Sequence, residues 1–225
     1  MGVAERRARE KEAVRQRILD AAGKLFVEEG YQNVSIRKIA ERAEYSPATL
    51  YLYFKDKDEL LGNLCAATFE ELIDAMEELK AKQLPPLEAL REAMRYYIQF
   101  GVDHPNHYLI TFAQRREPHP TPEGAAHFEE ASTAGLAAFD GLRQVVKQCM
   151  DSGDIPAGHL DTTTQLVWMF LHGVASLLIT AYPDPDFPWV EKDHLIQCSV
   201  QVLIAGLRCG AVPTPLPAVV DPGPA

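Results

Sequence analysis

The stretch from Ser35 to Leu61, SIRKIAERAEYSPATLYLYFKDKDELL, constrains this chain more than any other. Ser35 is placed to cap a short helix in which Ile36, Ile39, Ala40 and Ala43 recur at helical spacing and give it one apolar face. Glu44 and Tyr45 make a turn. Ser46 can cap a second helix, and Pro47 suits its first position, where the N–H that proline lacks has no partner to lose. That helix, Pro47 to about Tyr53, is too short to be stable alone, so Leu50 and Phe54 must anchor it to its neighbours. A third helix starts at about Lys57.

The face opposite Leu50 offers Ser46, Ala48, Thr49, Tyr51 and Tyr53, which are small or hydroxylated and carry no acid. Such a face suits a phosphate-lined groove: hydroxyls donate to phosphate oxygens, and the methyl groups of Ala48 and Thr49 can meet thymine methyls. Lys57 adds a positive charge where the start of a helix also attracts phosphate. With phosphate contacts from Ser35 and Arg37, the candidate DNA-binding residues are Ser35, Arg37, Ser46, Pro47, Ala48, Thr49, Tyr51, Tyr53 and Lys57.

Thr49, Leu50, Tyr51, Phe54 and Lys57, followed by Glu59, Leu60 and Leu61, resemble the DNA-binding domain of TetR-family transcriptional regulators. The resemblance implies an all-α chain in which a three-helix helix-turn-helix domain precedes a larger helical ligand-binding and dimerisation domain. The expected limits are 1–56 for the first domain, 57–210 for the second and 211–225 for a proline-rich tail. One departure concerns the turn, where the family usually has Gly then Val and this chain has Glu44 and Tyr45. A left-handed residue without Gly there costs about 1 kcal/mol. The competing reading takes these residues as packing groups of a helical domain only.

Charge supports a polarised molecule. The formal net charge of the 225 residues is −10, yet residues 1–62 sum to +1 and the remainder to −11, so DNA is attracted to one end and repelled by the rest. The four cysteines show no Cys-x-x-Cys spacing, which points to reduced, buried thiols. The charged N-terminus lacks an apolar secretory core, and the run Leu166–Ala181 is read as too short for an easy membrane span, so a soluble cytoplasmic protein is expected.

The first ten residues read as a solvated tail or a frayed helix start, and Arg6, Arg7 and Arg9 could also form an arm that reaches DNA. Helices are expected at about 11–29, 57–82, 86–103, 105–115, 123–151, 161–182 and 189–209, with no convincing strand. Arg116–Pro122 is expected to be a mobile loop and Pro183–Pro188 a stiff turn.

In the second half, Trp168, His172 and Gly173 are similar to the Trp…His-Gly pair of one TetR subgroup. Members of this type bind varied small molecules, so the resemblance names no ligand. Phe69, Tyr97, Phe100, Tyr108, Phe112, Trp168 and His172 are the candidate ligand-binding residues, because apolar walls with a few polar tips describe a ligand site. The alternative for most of them is ordinary core. His104 and His107 straddle a helix start and do not make a convincing metal site. No cofactor, metal site or catalytic residue is expected, since no phosphate loop, nucleophile elbow or His-Glu-x-x-His occurs.

The expected partners are an operator in double-stranded DNA, a small-molecule effector and a second copy of the chain. The dimer expectation rests on apolar residues around nearly every side of 166–179 and on the stripe Ile196, Val200, Leu203 and Leu207. A ligand-responsive repressor is the favoured function. A constitutive DNA-binding regulator, or a helical adaptor or enzyme on the same fold, is the alternative.

Overall fold

The computed structural model describes residues 2–112, 122–182 and 184–210. The elements are α1 (Val3–Glu29), a 3-10 turn (Tyr31–Asn33), α2 (Ile36–Arg42), α3 (Pro47–Tyr51), α4 (Lys57–Ala81), α5 (Pro86–Asp103), α6 (Pro105–Phe112), α7 (Pro122–Asp151), α8 (Leu160–Thr180) and α9 (Lys192–Arg208). No strand occurs among the described residues, so the chain is all-α as expected. The expected tail and the expected loop at 116–121 lie outside the described residues.

α1 starts earlier than expected. An i,i+4 ion pair between Arg6 and Glu10 at 3.1 Å and a Glu5 carboxylate on the Gly2 N–H at 2.9 Å give its polar first turns local support that apolar spacing does not reveal. α3 ends earlier than expected. The Leu52 and Tyr53 N–H groups bond three residues back, to Thr49 and Leu50 at 3.1 and 2.9 Å, and this tighter winding closes the helix. α9 starts at Lys192 rather than near Trp189, because the Glu191 carboxylate accepts from the Asp193 and His194 N–H groups at 2.9 and 2.8 Å.

The chain packs as two compact units, and they do not follow the expected boundary at residues 56/57. The first gathers Met1–Ile73 with Asp103–Ala138. Its core joins Ile18, Leu19, Leu25 and Phe26 of α1 to Ile39, Leu50, Phe54, Leu60 and Leu64, and Ile110 of α6 enters the same cluster. α6 packs on α1, so a segment distant in sequence completes the helix-turn-helix core. The second unit gathers Asp74–Val102 with Phe139–Ala225. There Leu79, Ala89 and Ala93 pack with Met76, Leu84 and Val145, and α8 packs on α9.

α8 corrects the membrane reading. At 21 residues it is long and apolar enough to cross a membrane by length and composition, because Leu160 and the threonines extend the helix beyond the apolar run. Within its unit one face of α8, with Val167, Leu171, Ala175 and Leu178, is buried, whereas Leu166, Met169 and Leu177 are exposed. Cysteine burial is uneven as well: Cys65 and Cys149 are buried, Cys198 is half-buried and Cys209 is exposed.

Candidate functional site

The helix-turn-helix is assembled from caps. Ser35 Oγ accepts from the Lys38 N–H at 3.3 Å, and Ser46 Oγ accepts from the Thr49 N–H at 3.0 Å. Between the two helices the Glu44 N–H returns to Glu41 at 3.2 Å and the Tyr45 N–H to Ala40 at 2.9 Å, which wraps up the end of α2. Glu44 itself sits at φ 62°, the left-handed conformation that the missing glycine makes costly. Tyr45 is held from α1 by Arg17, whose Nη1 lies 3.4 Å from the phenol oxygen.

α3 is pinned by Leu50 and Phe54, both buried, and its opposite side is exposed at Ser46, Pro47, Ala48 and Tyr51. Thr49 and Tyr53 are half-buried beside them, and the Ser46 and Thr49 hydroxyls share a hydrogen bond of 2.9 Å. Ser35 and Arg37 are exposed at the start of α2. Leu52, passed over in the sequence, is 80% exposed on this same segment. Its place two residues beyond Leu50 was the available signal, since that step carries a helical side chain to the side away from the core.

The positive charges of this unit are divided. Lys38 pairs with Glu29 at 2.5 Å and Arg42 with Glu28 at 2.9 Å, and the guanidinium holds the Glu28 carboxyl below its usual range. The sequence reading gave Lys57 an ammonium available to phosphate. Instead its Nζ donates to the carbonyls of Tyr31 and Val34 at 2.7 and 3.0 Å and lies 4.0 Å from the centre of the Tyr31 ring. Burial lowers the Lys57 pKa. The Tyr31 hydroxyl donates to Asp58, and burial followed by that carboxylate raises the phenol well above its ordinary pKa. The start of α4 is taken by carboxylates too: Asp56 accepts from the Glu59 N–H at 2.7 Å and Glu59 from the Lys55 N–H at 2.5 Å. Arg37 and Lys55 carry no ion-pair partner among the described residues.

The seven candidate ligand-binding residues fall into both units. In the first, Phe112 meets Phe69 edge-on at 5.7 Å and Tyr108 at 4.9 Å, and a Cβ on Gly135 would come within 3.0 Å of the Phe69 ring, so this cluster is tightly packed. In the second, Trp168 Nε1 donates to Tyr97 Oη at 3.1 Å, and that oxygen lies 3.4 Å from His172 Nδ1. Trp168 also stacks obliquely on His172 at 5.9 Å and receives Phe139 edge-on at 6.3 Å. Burial lowers the His172 pKa, which favours the neutral ring. Phe100 is buried and lies parallel to Tyr96 at 6.4 Å. A separate cavity of about 160 Å³ is lined by Ile155, Pro156, Thr163, Leu207 and Gly210. It is smaller than the roughly 300 Å³ at which drug-sized ligand sites begin, and it touches none of the seven.

Residues 18–64 match the family model described as bacterial regulatory proteins, tetR family, and residues 90–195 match the tetracyclin repressor-like C-terminal domain. The chain belongs to the tetR family of bacterial regulatory proteins.

An HTH-type transcriptional regulator of Staphylococcus aureus (strain MRSA252) is 34% identical over 90 residues, which are 40% of this chain and 49% of that relative. The match thus spans about half of that relative's length. AcrR of Shigella flexneri is 26% identical over 179 residues, covering 79% of this chain and 81% of AcrR. These relatives are regulators, not enzymes. Among solved structures, FadR of Bacillus subtilis in complex with stearoyl-CoA is similar with a TM-score of 0.69 at 20% identity, covering 87% of this chain and 98% of FadR. PfmR of Thermus thermophilus gives a TM-score of 0.67 at 22% identity, covering 85% and 98%. Likeness at such identities shows the fold alone.

Proposed function

We propose that the chain is a transcriptional repressor that binds a palindromic operator as a homodimer and is released by a small, largely apolar effector. The observation that carries this reading is α3: a short, capped helix pinned by Leu50 and Phe54, with Ser46, Pro47, Ala48 and Tyr51 exposed beside Thr49 and Tyr53. Arg37 and Lys55 supply the phosphate charge, and Ser35 adds a contact from the start of α2. Lys57 acts mainly by bracing the 3-10 turn against α4. The protein works in the cytoplasm, where the chromosome is.

α8 and α9 support the dimer. Met169 and Val202 are 63% and 64% exposed, Leu166 and Leu177 are exposed as well, and a Cβ on Gly173 or Gly206 would meet only open space. Two such helix pairs make a four-helix interface with two-fold symmetry. Effector recognition is placed at Tyr97, Phe100, Trp168 and His172 of the second unit, where the Tyr97 hydroxyl, the indole N–H and the imidazole meet beside aromatic walls. Because Trp168 is 36% exposed, the cluster is within reach of a ligand. Phe69, Tyr108 and Phe112 contribute to the packing of the first unit.

α4 runs without a break from Lys57 to Ala81, so it belongs to both units and can carry a strain from one to the other. A coupling of ~2 kcal/mol weakens operator binding roughly thirtyfold when the effector binds, and the operator weakens the effector equally. The test is selection of retained fragments from random duplex DNA, light scattering of the free protein, and a thermal-shift screen of hydrophobic compounds. Fatty acyl thioesters are included because a structural neighbour holds stearoyl-CoA. Expected are one palindromic consensus, a dimer mass, and hits that release DNA and lose affinity in Trp168→Ala. Hits that leave operator affinity unchanged favour the constitutive regulator.

A further inference from the structure

Leu52 is the most exposed of the large apolar side chains among the described residues, at 80%. Single exposed apolar residues are ordinary, so exposure alone decides nothing. Position does. Leu52 keeps helical backbone angles, φ −75° and ψ −18°, at the end of α3, so it continues the helical register of the residues before it. Four residues earlier on the same side is Ala48, also exposed; beside that pair run Thr49 and Tyr53, again four apart. The outward side of α3 therefore carries two strips, one apolar and one hydroxylated. The apolar strip spans about 6 Å along the axis, close to two base-pair steps.

Among base edges in the major groove the thymine 5-methyl group is the apolar feature, and it is the group that an aliphatic side chain can distinguish. A leucine kept in water on a surface meant for phosphate and base edges gains only when such a methyl group covers it. We propose that Leu52, with Ala48, is a specificity-determining residue that reads thymine methyl groups in the bound site. The proposal rests on the DNA-binding reading above and adds to it a residue and a base.

The test uses the full chain and a duplex selected from random sequence. Each thymine of that duplex is replaced in turn by uracil, which removes the methyl group and leaves the pairing intact. With about one methyl group's worth of apolar surface at stake, the wild-type protein loses roughly fivefold in affinity at one uracil position. Leu52→Ala loses about as much on the thymine duplex and shows no further loss with uracil there. Leu52→Met keeps the thymine preference. The melting temperatures of the variants stay unchanged, because the side chain is exposed, so a folding defect is separable. If the wild type is indifferent to every replacement, or Leu52→Ala keeps the full methyl dependence, the proposal is overturned. If no duplex is retained at all, the DNA-binding reading fails and takes the proposal with it.

Discussion

The two units are built by different logic. In the first, the features that shape the candidate interface lie close together in sequence: Ser35 caps α2, Ser46 caps α3, and Leu50 and Phe54 pin α3 within a few residues of the exposed side chains. In the second, the Tyr97–Trp168–His172 cluster joins residues more than seventy positions apart, separated by all of α6 and α7. A local device survives changes elsewhere in the chain, whereas a dispersed one depends on how several long helices pack. The first arrangement suits a fixed surface that meets one regular partner. The second suits a site whose shape is set by the packing of long helices.

The sharpest way to break this comparison is Leu50→Ala. Leu50 is fully buried and holds the shortest helix of the first unit, so its truncation should cost about 3 kcal/mol and abolish DNA retention. Both tryptophans, Trp168 and Trp189, lie in the second unit, so their fluorescence reports on that unit alone. The expected outcome is a lowered melting transition by circular dichroism with an unshifted tryptophan transition. A joint shift of both signals would show that the units unfold together.

Lys57→Met sharpens the account of the interface. The charged Nζ holds two carbonyls, so its loss should lower stability by about 2 kcal/mol and weaken DNA binding through misplacement of α4. The salt dependence of binding should stay unchanged, whereas a direct phosphate contact would reduce the slope of log K against log salt by about 0.9. Lys55→Met, by contrast, should reduce the slope and leave stability alone. The comparison of the two slopes decides which lysine meets the backbone.

How much the sequence foretold follows the same division. Caps, the breaker Pro47 and the Leu50/Phe54 spacing are local, and they located α2 and α3 to within two residues. The hold of Lys57 on the Tyr31 and Val34 carbonyls was not legible, because those partners lie more than twenty residues earlier and no spacing rule announces that contact. The joining of α6 to α1 was equally invisible, since Ile110 looks like any other core residue until the chain returns. The aromatic set was recognisable as a set, yet which members share a unit depends on helix packing that periodicity does not encode. The exposure of Leu52 was legible only in its register, two residues beyond the buried Leu50.

A smaller effect is expected at the turn. Glu44 adopts a left-handed conformation that glycine takes without penalty, so Glu44→Gly should raise stability by about 1 kcal/mol. The gain should appear in the circular dichroism transition of the first unit and leave the tryptophan signal in place. If stability falls instead, Glu44 makes a contact worth more than its backbone strain.

The smallest expected effect tests whether the α1–α6 contact within the first unit responds to pH. His107 of α6 faces Asp20 of α1 at 4.0 Å, with His104 and, through it, Glu71 of α4 nearby; His104 lies 3.6 Å from Glu71. Burial lowers the His107 pKa below its ordinary value of 6.5, ahead of the opposing pull of Asp20 and Glu71 and the additional push from His104. The unfolded chain therefore takes up the proton first as pH falls. This contribution to stability is complete above about pH 6.5 and is lost as pH drops toward the lowered folded value. Denaturant melts at pH 7.5 and 5.5 should show the wild type losing more stability than His107→Gln, which has no proton to gain. Burial lowers the His172 pKa in the same direction, so part of the pH dependence should persist in the variant and should appear in the tryptophan signal of the second unit. Equal losses in both proteins would mean that the α1–α6 contact accepts the charged ring at no cost, with the Asp20 carboxylate closing on it as the proton arrives.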